Sequence, residues 1–152
     1  DFIKAPASSM ADYHNAFEGG LIDHLLRVAT YAVKINNTLP DDEKVDQTSL
    51  LKVCFLHGIG KAKLYKPCTS EWHVKNQGKM YEFNDDLISM RVGERSAYYA
   101  LSHGINFTEE EYAAMLFFDK VDDRMSDYHN SMVGELLKMG NILAIKHAQK
   151  NQ

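Results

Sequence analysis

Val53-Cys54-Phe55-Leu56-His57-Gly58-Ile59-Gly60-Lys61 is the stretch on which the reading of this chain turns. An apolar helix end delivers His57, and the backbone then turns through two glycines to Lys61. With aspartate in place of Gly58, an imidazole and a carboxylate would stand side by side, as at a metal centre. Glycine carries no side-chain donor, so position 58 cannot ligate a cation through its side chain. Whether other ligands exist elsewhere in the chain therefore decides its function.

Upstream of this stretch, residues 1–18 read as irregular, with Pro6 and paired serines. Gly19-Gly20 opens a helical pattern in which Leu21, Leu25, Val28 and Ala32 recur at helical spacing. His24 falls on that inward face, and Pro40-Asp41-Asp42 ends the helix near Leu39. A second helix covers about 48–57, and 61–67 reads as a basic loop. Two aromatic segments, 71–75 and 79–83, flank Asn76-Gln77-Gly78 and predict a hairpin. A third helix spans about 92–103. Thr108 with Glu111 is a capping box opening a fourth helix to about Phe118. After a polar loop over 119–130, a last helix covers about 132–149. The expected fold is all-α, a mostly helical bundle with a small β-hairpin insertion around residues 71–83, forming one domain over 1–152.

Composition narrows the function. Hydrophobic residues make up 45% of the 152 residues, enough to fold around a core. A net charge of −4 argues against general nucleic-acid binding. No apolar run approaches the roughly 18 residues of a membrane span. Two cysteines, Cys54 and Cys68, make no disulfide framework and fit a reducing cytoplasm. The chain opens at Asp1, so native residues are expected to precede it. The eight tyrosines, seven phenylalanines and one tryptophan are expected mostly in the core.

Several short motifs occur together in a recognisable order. Tyr13-His14 and Phe17-Glu18-Gly19-Gly20-Leu21-Ile22-Asp23-His24 resemble the approach to the first helix of the HD-domain phosphohydrolases. His57-Gly58-Ile59-Gly60-Lys61 is similar to their His-Asp dipeptide with its lysine. Tyr81 to Asp86, Gly93-Glu94-Arg95-Ser96, Thr108 to Ala114 and Leu136-Leu137 follow in the same order. The resemblance implies a helical domain in which histidines and aspartates hold one or two divalent metals. Such a metal activates water to cleave a phosphate ester, often in a nucleotide.

Carried over position by position, the resemblance places the first ligand on His24 and the second on His57, both present. The partner aspartate falls on Gly58, two further histidines on Val92 and Phe118, and the closing aspartate on Asn141 or Gly140. Every aligned carboxylate is gone. Two imidazoles without an anionic ligand suit Mg²⁺ or Mn²⁺ poorly. No cofactor is expected; if one binds, it is a divalent metal (Mn, Mg, Fe or Zn) at low occupancy.

Three functional readings follow. The first is a catalytically degenerate member that binds a nucleotide or phosphate ligand, or a protein partner, with Lys61, His14 and Arg95 as contacts. The family's spread makes a phage or mobile-element origin an expectation. The second is an active phosphohydrolase with displaced ligands, built on His24, His57 and Asp119, with Asp122 and Asp123 also in reach of the sequence argument. The third is a structural or inhibitory interaction module with a filled cavity. His24 and His57 also read as hydrogen-bonded core histidines, and Lys61 as a solvated loop cation.

Overall fold

Gly19 adopts a left-handed conformation, φ 82°, which turns the chain into the first helix at no steric cost. In the computed structural model, which describes residues 2–119 and 129–151, this helix, α1, spans Gly20–Thr38. No side chain caps its start; the Leu21 amide donates instead to the Ala5 carbonyl at 2.9 Å. The irregular approach segment is thereby tied to the helix it precedes. α1 ends in extended backbone at Leu39, as the following proline demands.

α2 spans Gln47–Leu56, with the Asp46 side chain accepting from the Ser49 amide at 2.8 Å. β1, Tyr65–Pro67, and β2, Tyr81–Phe83, pair antiparallel with Tyr65 opposite Phe83. Between them lies α3, Glu71–Gln77, capped by Ser70 and closed by Gly78 at φ 62°. α4 spans Val92–Ser102, α5 spans Glu109–Phe117 and α6 spans Met132–Lys150. Thr108 and Glu111 form the capping box of α5 in both directions.

The mostly helical fold with a small hairpin is thus as the sequence indicates, with the strands in other places. The first aromatic segment, 71–75, is helical, and 65–67, read as loop, supplies the strand that pairs with 81–83. The serine cap and the left-handed glycine stop outweigh the aromatic preference for strands.

α1 and α6 make the most extensive helix pair, joined where Gly140 meets Val28 and Ala32. A Cβ on Gly140 would stand 2.7 Å from the Val28 carbonyl oxygen, so only glycine permits this approach. Val28, Leu50, Val53, Met115 and Leu137 are wholly buried between α1, α2, α5 and α6. Truncating one such side chain to alanine costs about 2–5 kcal/mol. Glu111 ties α5 to α2 by accepting from Ser49 Oγ and Lys52 Nζ, each at 2.7 Å. The core is aliphatic. Among the described residues no tyrosine, phenylalanine or tryptophan is fully buried, which corrects the expectation that the aromatic residues lie mostly in the core. Among them, too, no helix is long and apolar enough to cross a membrane.

Candidate functional site

α1, the end of α2, the turn after it, α4, the end of α5 and α6 converge on one cavity of about 220 Å³. His24 and Leu21 come from α1, and His57, Gly58 and Lys61 from the end of α2 and the 3-10 turn Ile59–Lys61. Val92 begins α4, Phe118 and Asp119 follow α5, and Asn141 and Ile145 lie one turn apart on α6. His14 reaches the cavity from the approach segment. That segment is held by the Ser8 hydroxyl, which donates to the His14 carbonyl at 2.7 Å.

The turn that presents Gly58 and Lys61 is fixed from α4. Ser96 Oγ is fully buried, accepts from the Gly60 amide at 2.8 Å and lies 2.7 Å from the His57 and Val92 carbonyls. The Lys61 ammonium donates to the Ala7 carbonyl at 2.6 Å, bridging the turn to the approach segment.

The rings are braced by neutral partners. His57 Nδ1 donates to the Cys54 carbonyl at 2.8 Å, which leaves Nε2 with its lone pair. His24 Nε2 lies 3.1 Å from Asn141 Oδ1. The centroids of His14 and His24 are 4.7 Å apart and those of His24 and His57 6.1 Å. Phe118 packs edge-on against His57 at 4.6 Å. His14 Nε2 and His24 Nδ1 are buried and find no hydrogen-bond partner among the described residues.

Burial dominates the electrostatics. It pushes His14 down to about 4, with the Lys61 charge adding to it. Burial also takes His24 down to about 2, helped by His14, His57 and Lys61 and opposed by the Asn141 hydrogen bond. His57 falls to about 4 through burial, opposed by its bond to Cys54. All three rings are therefore neutral at pH 7. Lys61 is lowered to about 8 by burial, while Asp119 pulls the other way, so it keeps its charge at pH 7.

A divalent metal of the kind the resemblance implies does not fit this donor set. Mg²⁺ and Mn²⁺ favour oxygen ligands. Here Gly58 offers none, Val92 and Phe118 are apolar, and the Asn141 oxygen is engaged by His24. A neighbouring ammonium, Lys61, adds repulsion. Asp119 lies at the exposed rim. Among the described residues no three histidine, cysteine, aspartate or glutamate side chains stand where they could share one ion.

Of the residues singled out from sequence, His14, His24, His57, Lys61 and Asp119 line the cavity together with Gly58, Val92, Phe118 and Asn141. Arg95 does not. Its guanidinium is buried against the Ile88 carbonyl, one side of α4 away from Val92 and Ser96, so it is corrected from ligand contact to structural anchor. Glu94 accepts from the Arg91 amide at 3.2 Å as part of the α4 cap. Asp122 and Asp123 lie outside the described residues. Sequence reading missed Leu21, Ser96 and Ile145. Leu21 and Ile145 were legible as helical neighbours of His24 and Asn141, three and four residues away. Compared with family models, curated proteins and solved structures, this chain finds no match.

Proposed function

We propose that this chain is a catalytically degenerate relative of the HD-domain phosphohydrolases that acts by binding, its cavity taking a phosphate-bearing anion without cleaving it. The observation that carries this reading is the charge of the wall. A half-buried ammonium, Lys61, stands with three neutral imidazoles, and Asp119 at the rim is the sole carboxylate lining the cavity among the described residues. Such a wall attracts an anion. Lys61 uses one of its three N–H groups on Ala7 and has two to offer. The unpartnered His14 Nε2 supplies a further donor in the matching tautomer, whereas His24, which donates through Nε2 to Asn141, presents Nδ1 as a lone pair. At about 220 Å³ the cavity is smaller than the roughly 300–1,000 Å³ of sites that enclose a whole small ligand. A single phosphoryl group fits inside, and any nucleoside stays outside.

The test is thermal denaturation of the protein against inorganic phosphate and nucleoside monophosphates, with phosphate release measured in parallel, with and without Mn²⁺. A ligand bound only by the folded state raises apparent stability by about 2.7 kcal/mol at one hundred times its Kd. The expected result is dose-dependent stabilisation that Lys61→Met abolishes, and no phosphate release. Stabilisation unchanged in Lys61→Met rejects the reading.

The place of Asp119 on the cavity wall favours a second reading: a relocated hydrolytic centre of His24, His57 and Asp119. Mn²⁺-dependent phosphate release lost in Asp119→Asn would establish it over the first.

A further inference from the structure

The tautomers of two buried histidines are set by what each ring already holds. His57 Nδ1 stands 2.8 Å from the Cys54 carbonyl, and a carbonyl oxygen only accepts. Nδ1 therefore carries the proton, and Nε2 keeps its lone pair. His24 Nε2 lies 3.1 Å from Asn141 Oδ1, so the proton sits on Nε2 and the lone pair on Nδ1. Burial holds both rings neutral, which keeps these lone pairs in place at pH 7. His24 is 3% and His57 1% exposed, and both line the cavity. His24 Nδ1 is buried and accepts from no group among the described residues. A buried acceptor is costly to leave without a donor, so its natural partner is one that an occupant of the cavity brings.

The cavity wall thus presents both kinds of hydrogen-bonding group. Lys61 and His14 Nε2 donate. His24 and His57 accept, and so does the Asp119 carboxylate at the rim. A fully ionised oxyanion offers acceptors alone. Its oxygens would meet the lone pairs of His24 and His57 and the charge of Asp119 with no proton to give. An oxyanion that still carries a proton offers both, an O⁻ to Lys61 and an O–H to a ring nitrogen. Phosphate keeps at least one proton at pH 7. Sulfate, of the same tetrahedral shape, keeps none. We propose that the cavity selects the protonated form of a tetrahedral oxyanion, inorganic phosphate in preference to sulfate, with the P–OH group donating to His24 Nδ1 or His57 Nε2. This selectivity rests on the reading of the cavity as an anion site and deepens it by naming the form of the anion. A site whose buried polar groups need partners rejects an analogue lacking them far more strongly than an apolar pocket rejects a change of size.

The test is isothermal titration calorimetry of the wild-type protein with inorganic phosphate and with sulfate, at pH 7 and matched ionic strength. The same titrations on Lys61→Met, its folding checked by circular dichroism, separate the cavity from other sites. Nitrogen NMR of the histidine rings, with and without each anion, reads the lone pairs directly. The expected result is phosphate binding at least about tenfold tighter than sulfate, and weakened in Lys61→Met. The unprotonated nitrogen of His24 or His57 moves toward the protonated range with phosphate and stays in place with sulfate. Equal affinities for the two anions, both lost in Lys61→Met, overturn the selectivity and leave the anion site standing. A preference for phosphate with both ring nitrogens unmoved overturns the assignment of the acceptors. Binding of neither anion overturns the anion site, and the selectivity falls with it.

Discussion

The ring of His24 and the side-chain amide of Asn141 lie 3.1 Å apart although 117 residues separate them in the chain. A neutral acceptor there leaves His24 dominated by burial and held as free imidazole. Asn141→Asp puts a negative charge at the same distance, which favours the imidazolium. The expected outcome is an upward move of the His24 titration by a unit or more, read from its ring proton shifts by NMR across pH. An unmoved His24 titration would show that the Asn141 side chain does not face the ring.

Acid should unfold this protein early. His14, His24 and His57 have an ordinary value of 6.5 and are held far below it in the folded state, chiefly by burial. The unfolded chain takes up these protons first, so stability is full above about pH 6.5 and declines as pH falls from there toward about 4. At pH 5 each ring kept neutral costs about 2 kcal/mol, and three together rival the about 5–15 kcal/mol stability of a typical domain. Urea unfolding at pH 7 and pH 5 checks this; equal midpoints at the two values would contradict it.

On the proposed reading as a degenerate HD-domain relative, an aspartate at position 58 alone should not confer chemistry. A Cβ on Gly58 would stand 2.9 Å from Leu25 Cδ2 and 3.5 Å from Leu21 Cδ1. The end of a flexible leucine can yield, so Gly58→Asp is expected to fold with a loss of about 1–3 kcal/mol from crowding. Val92, Phe118 and Asn141 still offer no anionic ligand. Neither Mn²⁺-dependent phosphate release nor bound metal by elemental analysis is expected in this variant, and either one would refute the assignment of the remaining positions.

The contact of α1 with α6 gives a prediction whose sign runs against helix propensity. Gly140→Ala gains about 1 kcal/mol of intrinsic preference. Its methyl group would meet the Val28 carbonyl oxygen at 2.7 Å and Ala32 Cβ at 3.1 Å, and backbone cannot swing aside as a side chain can. Overpacking costs of about 1–3 kcal/mol therefore outweigh the gain. Thermal denaturation should show a Tm several degrees below wild type; an unchanged or higher Tm would mean the two helices can separate freely at this point.

Much of the helical frame was legible because apolar spacing is a local signal. Leu21, Leu25 and Val28 marked α1, and Thr108 with Glu111 marked the start of α5, where both capping bonds form. The α3 region misled because Trp72 and its neighbours suggest a strand, while the decisive residues, Ser70 and Gly78, sit just outside the segment. The site was legible only as an ordered set of positions. Nothing in the spacing of His14, His57 and Asn141 says that they face one another, since tertiary packing alone closes those distances. Arg95 was misplaced because position along a helix fixes direction: Val92 and Ser96 share the side facing the turn, and Arg95 lies around from it, against Ile88.

The imidazoles here are steadied by groups that belong to the chain itself, an amide on α6 for His24 and a carbonyl at the end of α2 for His57. Where ions normally clamp such rings, removing the ion loosens the scaffold. On the proposed reading the chain supplies its own clamps, so the expected outcome is an unchanged Tm when a chelator is added.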